Sequence, residues 1–161
     1  MIRIVEGNVL EAKEKVICHQ VNTRGVMGSS KDNSKSTNVA HQLRMKYGDA
    51  LYLPYKEVCD KGNALGKCLI LEMTDGKVIA NMFAQGNYGY DKAQYTDYKA
   101  FENSLRHIVN HCLNNSISAV AMPFFIGCAR GGGDWSTVYD LLDKYFGMSS
   151  TTDLTLYKLA K

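Results

Sequence analysis

The sequence predicts an α/β fold in which a mainly parallel or mixed sheet is covered by helices on both faces. Short apolar runs with strand-like alternation are separated by stretches with helical spacing, so strands and helices take turns along the chain. Glycine-rich loops follow two of the apolar runs. The order of elements supports this reading. Ile2 to Val5 alternates as a first strand, and Val16 to Val21 is a second, largely apolar and buried one. Val39, Leu43 and Lys46/Tyr47 lie at helical spacing, so 39–47 reads as a helix. Pro54 to Cys59 reads as a short helix with the proline in its first turn. Lys67 to Glu72 and Val78 to Phe83 read as strands joined by the hairpin turn Thr74-Asp75-Gly76.

Thr96 or Asp97 can cap a long helix that runs to about Asn114, with Phe101, Leu105, Ile108 and Cys112 as its apolar face. Ala119 to Met122 is a short strand closed by Pro123. Trp135 to Phe146 is a helix with Val138, Leu141, Leu142 and Tyr145 inward, ended by Gly147. Leu154 to Leu159 alternates as the last strand.

Composition excludes several classes. With 161 residues the chain is expected to form one domain, 1–161. It has 45% hydrophobic and 22% charged residues, which is globular rather than disordered. No apolar run reaches the length of a membrane span, so no membrane partner is expected, and no signal peptide is visible at the N-terminus. The formal charge of +3 favours anionic ligands mildly and falls short of a duplex-binding stripe, so no nucleic-acid partner is expected. Cys18, Cys59, Cys68, Cys112 and Cys128 are odd in number and contain no Cys-x-x-Cys pair. They read as free thiols of a cytoplasmic protein, with no zinc site. Neither a metal nor a cofactor is expected.

In a sheet of this kind ligands sit in the loops beyond the carboxyl ends of the strands. Two such loops stand out. One runs from His19 to Gly28, and the other from Phe124 to Asp134, into the Trp135 helix. Glycines let backbone N–H groups approach a ligand, and a helix N-terminus favours anions. Paired loops on neighbouring strands point to a pyrophosphate, whereas a single Gly131-Gly132-Gly133 run would read as a connector. Neither Gly-Lys-Ser/Thr nor Gly-x-Gly-x-x-Gly is present. A thiol phosphatase loop built on Cys128 would need an arginine where Asp134 stands, so Cys128 reads as a small filler.

The residues Gly7-Asn8-Val9, Val21-Asn22 with Gly25 and Gly28, Asn87-Tyr88, and Ile126-Gly127-Cys128 with Gly131 to Trp135 resemble the macrodomain family nearly end to end. The chain looks most like the small standalone macrodomains similar to ADP-ribose-1″-phosphate phosphatases and terminal ADP-ribose hydrolases. The resemblance implies a three-layer α/β/α fold with a mixed central sheet and a cleft for ADP-ribose or a derivative, with an ADP-ribosylated protein as a further partner. It places Asn8, beside Val9, where the family has an Asp on the adenine amino group. It places Asn22 on the distal ribose. Gly25, Met27, Gly28 and Ser29 would form one diphosphate loop, and Ile126, Gly127, Cys128, Ala129, Arg130 and Gly131 the other. Asn87 and Tyr88 would line the distal ribose.

Two departures stand out. A polar insert, Ser30 to Asn38, separates the first loop from the Val39 helix. It reads as a mobile surface loop, or as a lid whose Lys31 or Lys35 meets the phosphates. The lysine that the glutamate-hydrolase relatives use falls near Gln85, which cannot form their covalent adduct. Candidate catalytic groups are His19 and Asp134. Each has a structural alternative: a hydrogen-bonded core histidine, and an N-cap for the Trp135 helix. Two functions remain open. One is an enzyme removing a group from the distal ribose, of the ADP-ribose-1″-phosphate or ADP-ribosyl-ester class. The other is a binding module for ADP-ribosylated proteins or an ADP-ribose-type nucleotide. Tyr88, Tyr90, Tyr95 and Tyr98 add a weaker idea, stacking on single-stranded RNA, against which stands an aromatic cleft wall.

Overall fold

The computed structural model describes residues 1–28, 38–89, 91, 93–148 and 150–160. The apolar runs form six strands, β1 (Ile2–Glu6), β2 (Val16–Asn22), β3 (Cys68–Glu72), β4 (Val78–Gln85), β5 (Ala119–Pro123) and β6 (Asp153–Lys158). They join in one sheet of order β1-β6-β5-β2-β4-β3. All neighbours are parallel except β3, which pairs antiparallel with β4 at the sheet edge. The hairpin expected at residues 74–76 closes that pair, with Met73 N–H donating to the Lys77 carbonyl at 2.7 Å.

Four helices cover the sheet: α1 (Val39–Tyr47), α2 (Asp49–Lys61), α3 (Tyr98–Asn114) and α4 (Trp135–Phe146). Side chains alternate across each strand, so the sheet buries two apolar faces. Val16, Cys18, Ala80, Met82, Val120, Met122, Leu154 and Leu156 meet Phe101, Leu105, Ile108 and Cys112 of α3 and Val138, Leu142 and Phe146 of α4. Ile17, Val21, Ile79, Phe83 and Ala121 meet Leu43 of α1 and Leu51 and Tyr55 of α2 on the other face. The architecture is the expected three-layer α/β/α sandwich with a mixed sheet. No helix among the described residues is long and apolar enough to cross a membrane.

Helix starts follow local chemistry. Asn38, Asp97 and Asp134 each accept a hydrogen bond from a backbone N–H three residues on, at 3.2, 2.9 and 3.0 Å. One expectation needs correction. The helix expected at 54–59 begins at Asp49 and ends at Lys61, so Pro54 lies in its interior. Burial of Leu51 and Tyr55 one turn apart outweighs the N–H that the proline lacks. A short 3-10 turn, Val9–Glu11, also follows β1, capped by Asn8, whose side chain accepts the Leu10 N–H at 3.0 Å.

The interior proline gives a test of this balance. Pro54→Ala should raise unfolding stability by roughly 1–3 kcal/mol, because alanine restores the missing donor. Chemical denaturation reads this as a higher midpoint.

Candidate functional site

Because β1, β6, β5, β2 and β4 run parallel, their carboxyl ends share one edge of the sheet. At the usual strand spacing this edge spans about 19 Å. A cleft of about 660 Å³ runs along it, of the size that takes a drug-sized or cofactor-sized molecule. Its walls follow the strand order. Asn8 and Val9 come after β1, then Tyr157, Lys158 and Leu159 at the end of β6. Phe124 to Gly127 follow β5, Gln20 and Asn22 end β2, and Gln85 and Tyr88 lie at the β4 end.

The loop after β2 is organised by Asn22. Its carboxamide oxygen accepts the Arg24 N–H and the Tyr55 hydroxyl, both at 2.9 Å, and its nitrogen donates to the Val26 carbonyl at 2.7 Å. One amide hydrogen of Asn22 is left for a ligand. Gly28 lines the cleft at φ +77°, and a β-carbon there would run into the His41 ring.

The loop after β5 is pinned from beneath. The Thr96 hydroxyl donates to the Gly127 carbonyl at 2.6 Å, and the Tyr95 and Thr96 N–H groups donate to Gly131 O at 2.7 and 2.9 Å. A β-carbon on Gly131 would stand 2.5 Å from Thr96 Oγ1, so only glycine permits this packing. Among the described residues, no acceptor meets the N–H of Val26, Gly28, Gly127, Ala129 or Gly131. These N–H groups belong to residues that line the cleft, a set of donors that suits an anion. Lys158 and Arg130 add positive charge, and no carboxylate belongs to the cleft lining among the described residues.

The expected site residues divide in two. Asn8, Val9, His19, Asn22, Gly28, Tyr88, Ile126, Gly127, Ala129, Arg130 and Gly131 line the cleft. Gly25, Met27, Asn87, Cys128 and Asp134 do not. The Gly25 carbonyl accepts the Tyr52 hydroxyl at 2.8 Å, and Met27 is buried in the core against α1 and α2. Asn87 Oδ1 accepts the Tyr88 N–H at 2.9 Å. Cys128 packs against the core, and burial pushes its thiol up to about 11, so it is no nucleophile at neutral pH. Ser29, Tyr90 and the insert lysines Lys31 and Lys35 lie outside the described residues.

Of the two candidate catalytic groups, Asp134 caps a helix, and His19 is a buried histidine bonded to a side chain rather than to the backbone. Asp134 accepts the Thr137 N–H at 3.0 Å and its hydroxyl at 2.9 Å, so its carboxylate closes the start of α4. His19 is buried, with Nε2 at 2.6 Å from Asn81 Oδ1. Asn81 gives its nitrogen to the Leu69 carbonyl at 2.9 Å, so Oδ1 is an acceptor and His19 carries its proton on Nε2. Burial lowers the His19 pKa to about 4, which leaves it neutral at physiological pH. No group of three His, Cys, Asp or Glu side chains able to hold a metal occurs among the described residues.

Several lining residues escaped sequence reasoning. Gln20 hides in an apolar strand, Lys158 and Leu159 read as the tail of the last strand, and Tyr157 as its alternating member. Tyr157 is oriented by Glu14, a buried carboxylate that accepts its hydroxyl at 2.6 Å and that of Thr155 at 3.2 Å. Phe125 had one signal, a second aromatic after Pro123. Its φ of +67° puts a bulky residue in the left-handed region, where the ring stacks on Phe124 at 5.3 Å.

The His19 geometry predicts a pH effect. Its folded pKa lies below the unfolded value of 6.5, so the unfolded chain binds the extra proton. Stability should be full above pH 6.5 and fall by about 3 kcal/mol as pH drops to about 4. His19→Gln should flatten this segment of a pH series of urea melts.

No family model matches the chain. It is similar to the DNA ADP-ribosyl glycohydrolase of Thermus aquaticus, 26% identical over 143 residues, 86% of this chain and 36% of that protein. Among solved structures, the macrodomain of Mycobacterium tuberculosis DarG superposes with a TM-score of 0.79 at 24% identity, covering 98% of this chain and 97% of that one. Thermosipho africanus DarTG in complex with ADP-ribose superposes with a TM-score of 0.74 at 22% identity, covering 98% of this chain and 41% of that one. The chain thus spans less than half the length of the Thermus and Thermosipho proteins. Sheet order, layering and superposition agree: the chain has the macrodomain fold.

Proposed function

We propose that the cleft binds ADP-ribose, and that residues 1–161 form one module for this purpose. The observation that carries the reading is the pair of donor-lined glycine loops at adjacent strand ends, between an aromatic end and an amide-rich end. The adenine lies toward Asn8, Val9 and Tyr157. Asn8 Oδ1 already accepts the Leu10 N–H and keeps one lone pair for the adenine amino group. The diphosphate lies between the Val26–Gly28 and Gly127–Gly131 donors, close to the charges of Lys158 and Arg130. The distal ribose meets Asn22, Gln85 and Tyr88.

A binding module is the first reading. The cleft lining lacks a carboxylate among the described residues, Asp134 is engaged at a helix start, and Gln85 stands at the strand end where a covalent lysine would be needed. A second reading, removal of a group from the distal ribose, is favoured by the similarity to a DNA ADP-ribosyl glycohydrolase. Its substrates would be ADP-ribosylated DNA, an ADP-ribosyl ester on protein, or ADP-ribose-1″-phosphate.

Calorimetry should give a dissociation constant for ADP-ribose on the order of micromolar, about −8 kcal/mol; no heat at millimolar ligand would end the reading. Asn22→Ala should weaken binding by roughly 1–3 kcal/mol, since it removes a ligand donor and releases the Arg24 and Val26 anchors.

A time course with ADP-ribosylated DNA, an ADP-ribosylated protein and ADP-ribose-1″-phosphate separates the two readings. The binding module leaves all three at the blank rate, and turnover of any one establishes the enzyme and its substrate class.

A further inference from the structure

Gln20 lies beneath the cleft, where a chain of hydrogen bonds leaves its carboxamide one orientation. The Gln85 nitrogen donates to the Asn87 carbonyl at 2.8 Å, so Gln85 Oε1 faces Gln20 and accepts from its Nε2 at 2.7 Å. The Thr96 hydroxyl gives its proton to the Gly127 carbonyl at 2.6 Å, so its oxygen accepts the second Nε2 hydrogen of Gln20 at 2.9 Å. Both donors of Gln20 are therefore committed, one toward each side of the cleft. Its Oε1 is left buried without a partner, 3.0 Å from where a β-carbon of Gly127 would sit. A buried acceptor without a protein donor is destabilising, so the two committed donors hold Gln20 in this orientation against that cost. The Thr96 N–H also holds the Gly131 carbonyl at 2.9 Å, so the same branch fixes two points of the second glycine loop.

We propose that Gln20 is a positioning residue that holds the Gly127–Gly131 loop and the Asn87–Tyr88 segment in one frame, so that the diphosphate and distal-ribose subsites are set at a fixed separation. This rests on the ADP-ribose reading above. One arm runs through Gln85 to the ribose side, and the other through Thr96 to the diphosphate side. An aliphatic side chain in place of Gln20 fills the space and supports neither arm.

The test is calorimetry of the full chain with ADP-ribose and with ADP, which ends at the diphosphate, together with thermal melts. Gln85→Leu should lower ADP-ribose affinity about tenfold more than ADP affinity. Thr96→Val should lower both by a similar factor, and Thr96→Ser, which keeps the hydroxyl, should restore both. Gln20→Leu should lower both, and adding Thr96→Val to it should lower ADP affinity by less than the product of the two single losses. The link between Gln20 and Thr96 is already cut in Gln20→Leu, and only the Thr96–Gly127 bond is left to lose. Should Gln20→Leu melt too early for calorimetry, Gln20→Glu, of equal size but without N–H donors, takes its place. Equal losses for both ligands in Gln85→Leu, multiplicative losses in the double variant, or wild-type affinities in Gln20→Leu would overturn the proposal while leaving ADP-ribose binding intact. A wild-type chain that binds neither nucleotide overturns both.

Discussion

Five parallel strands bring their carboxyl ends to one side of the sheet, and the loops that leave there must turn back over it toward the next element. In this chain the loops after β2 and β5 do so with glycines, whose missing β-carbons let Gly28 pack under His41 and Gly131 against Thr96. The result is a pair of cleft-lining loops whose N–H groups at Val26, Gly28, Gly127, Ala129 and Gly131 meet no acceptor among the described residues. Ligand chemistry follows from that constraint. A cleft with glycine-loop backbone, Lys158 and Arg130 and no carboxylate among its described lining residues suits the extended anion of the proposed reading.

Polar side chains close to this edge serve the loops before they serve a ligand. Asn22 holds Arg24, Tyr55 and Val26, Gln20 bridges Gln85 and Thr96, and Glu14 fixes the hydroxyl of Tyr157. Such networks restrict the loops they join, while Gln20 Oε1 and His19 Nδ1 stay buried without a protein partner among the described residues. Restriction of this kind reduces the entropy lost on binding and suits recognition. Chemistry asks for something different, namely a titratable group within reach of the reacting atom. The two best candidates by sequence, His19 and Asp134, serve as a neutral buried donor to Asn81 and a helix cap.

Much of this was legible in the chain itself. The extent of α1 follows from apolar spacing, and that of α4 from apolar spacing together with Asp134 as a cap, whereas the Asn38 cap is seen only in the structure. The faces of α3 follow from Phe101, Leu105, Ile108 and Cys112, all buried as the spacing required. The two loops were found because glycine density after an apolar run has few local explanations. The helix around Pro54 was misjudged because a proline weighs heavily in local reasoning, while the burial of Leu51 and Tyr55 that overrides it is a tertiary fact.

By itself, the sequence determined the alternation of strands and helices, the faces each would bury, and the segments where backbone would approach a ligand. These are local matters of period, cap and glycine, readable within a few residues. The tertiary structure alone decided which side chains meet across the cleft. Gln20 reaches Thr96 across 76 positions and Glu14 reaches Tyr157 across 143, contacts that no local pattern encodes. The division between residues that line the cleft and those that brace it was decided in the same way. Hydrogen bonds between strand ends, brought together by the sheet order, direct each polar group toward ligand or toward protein.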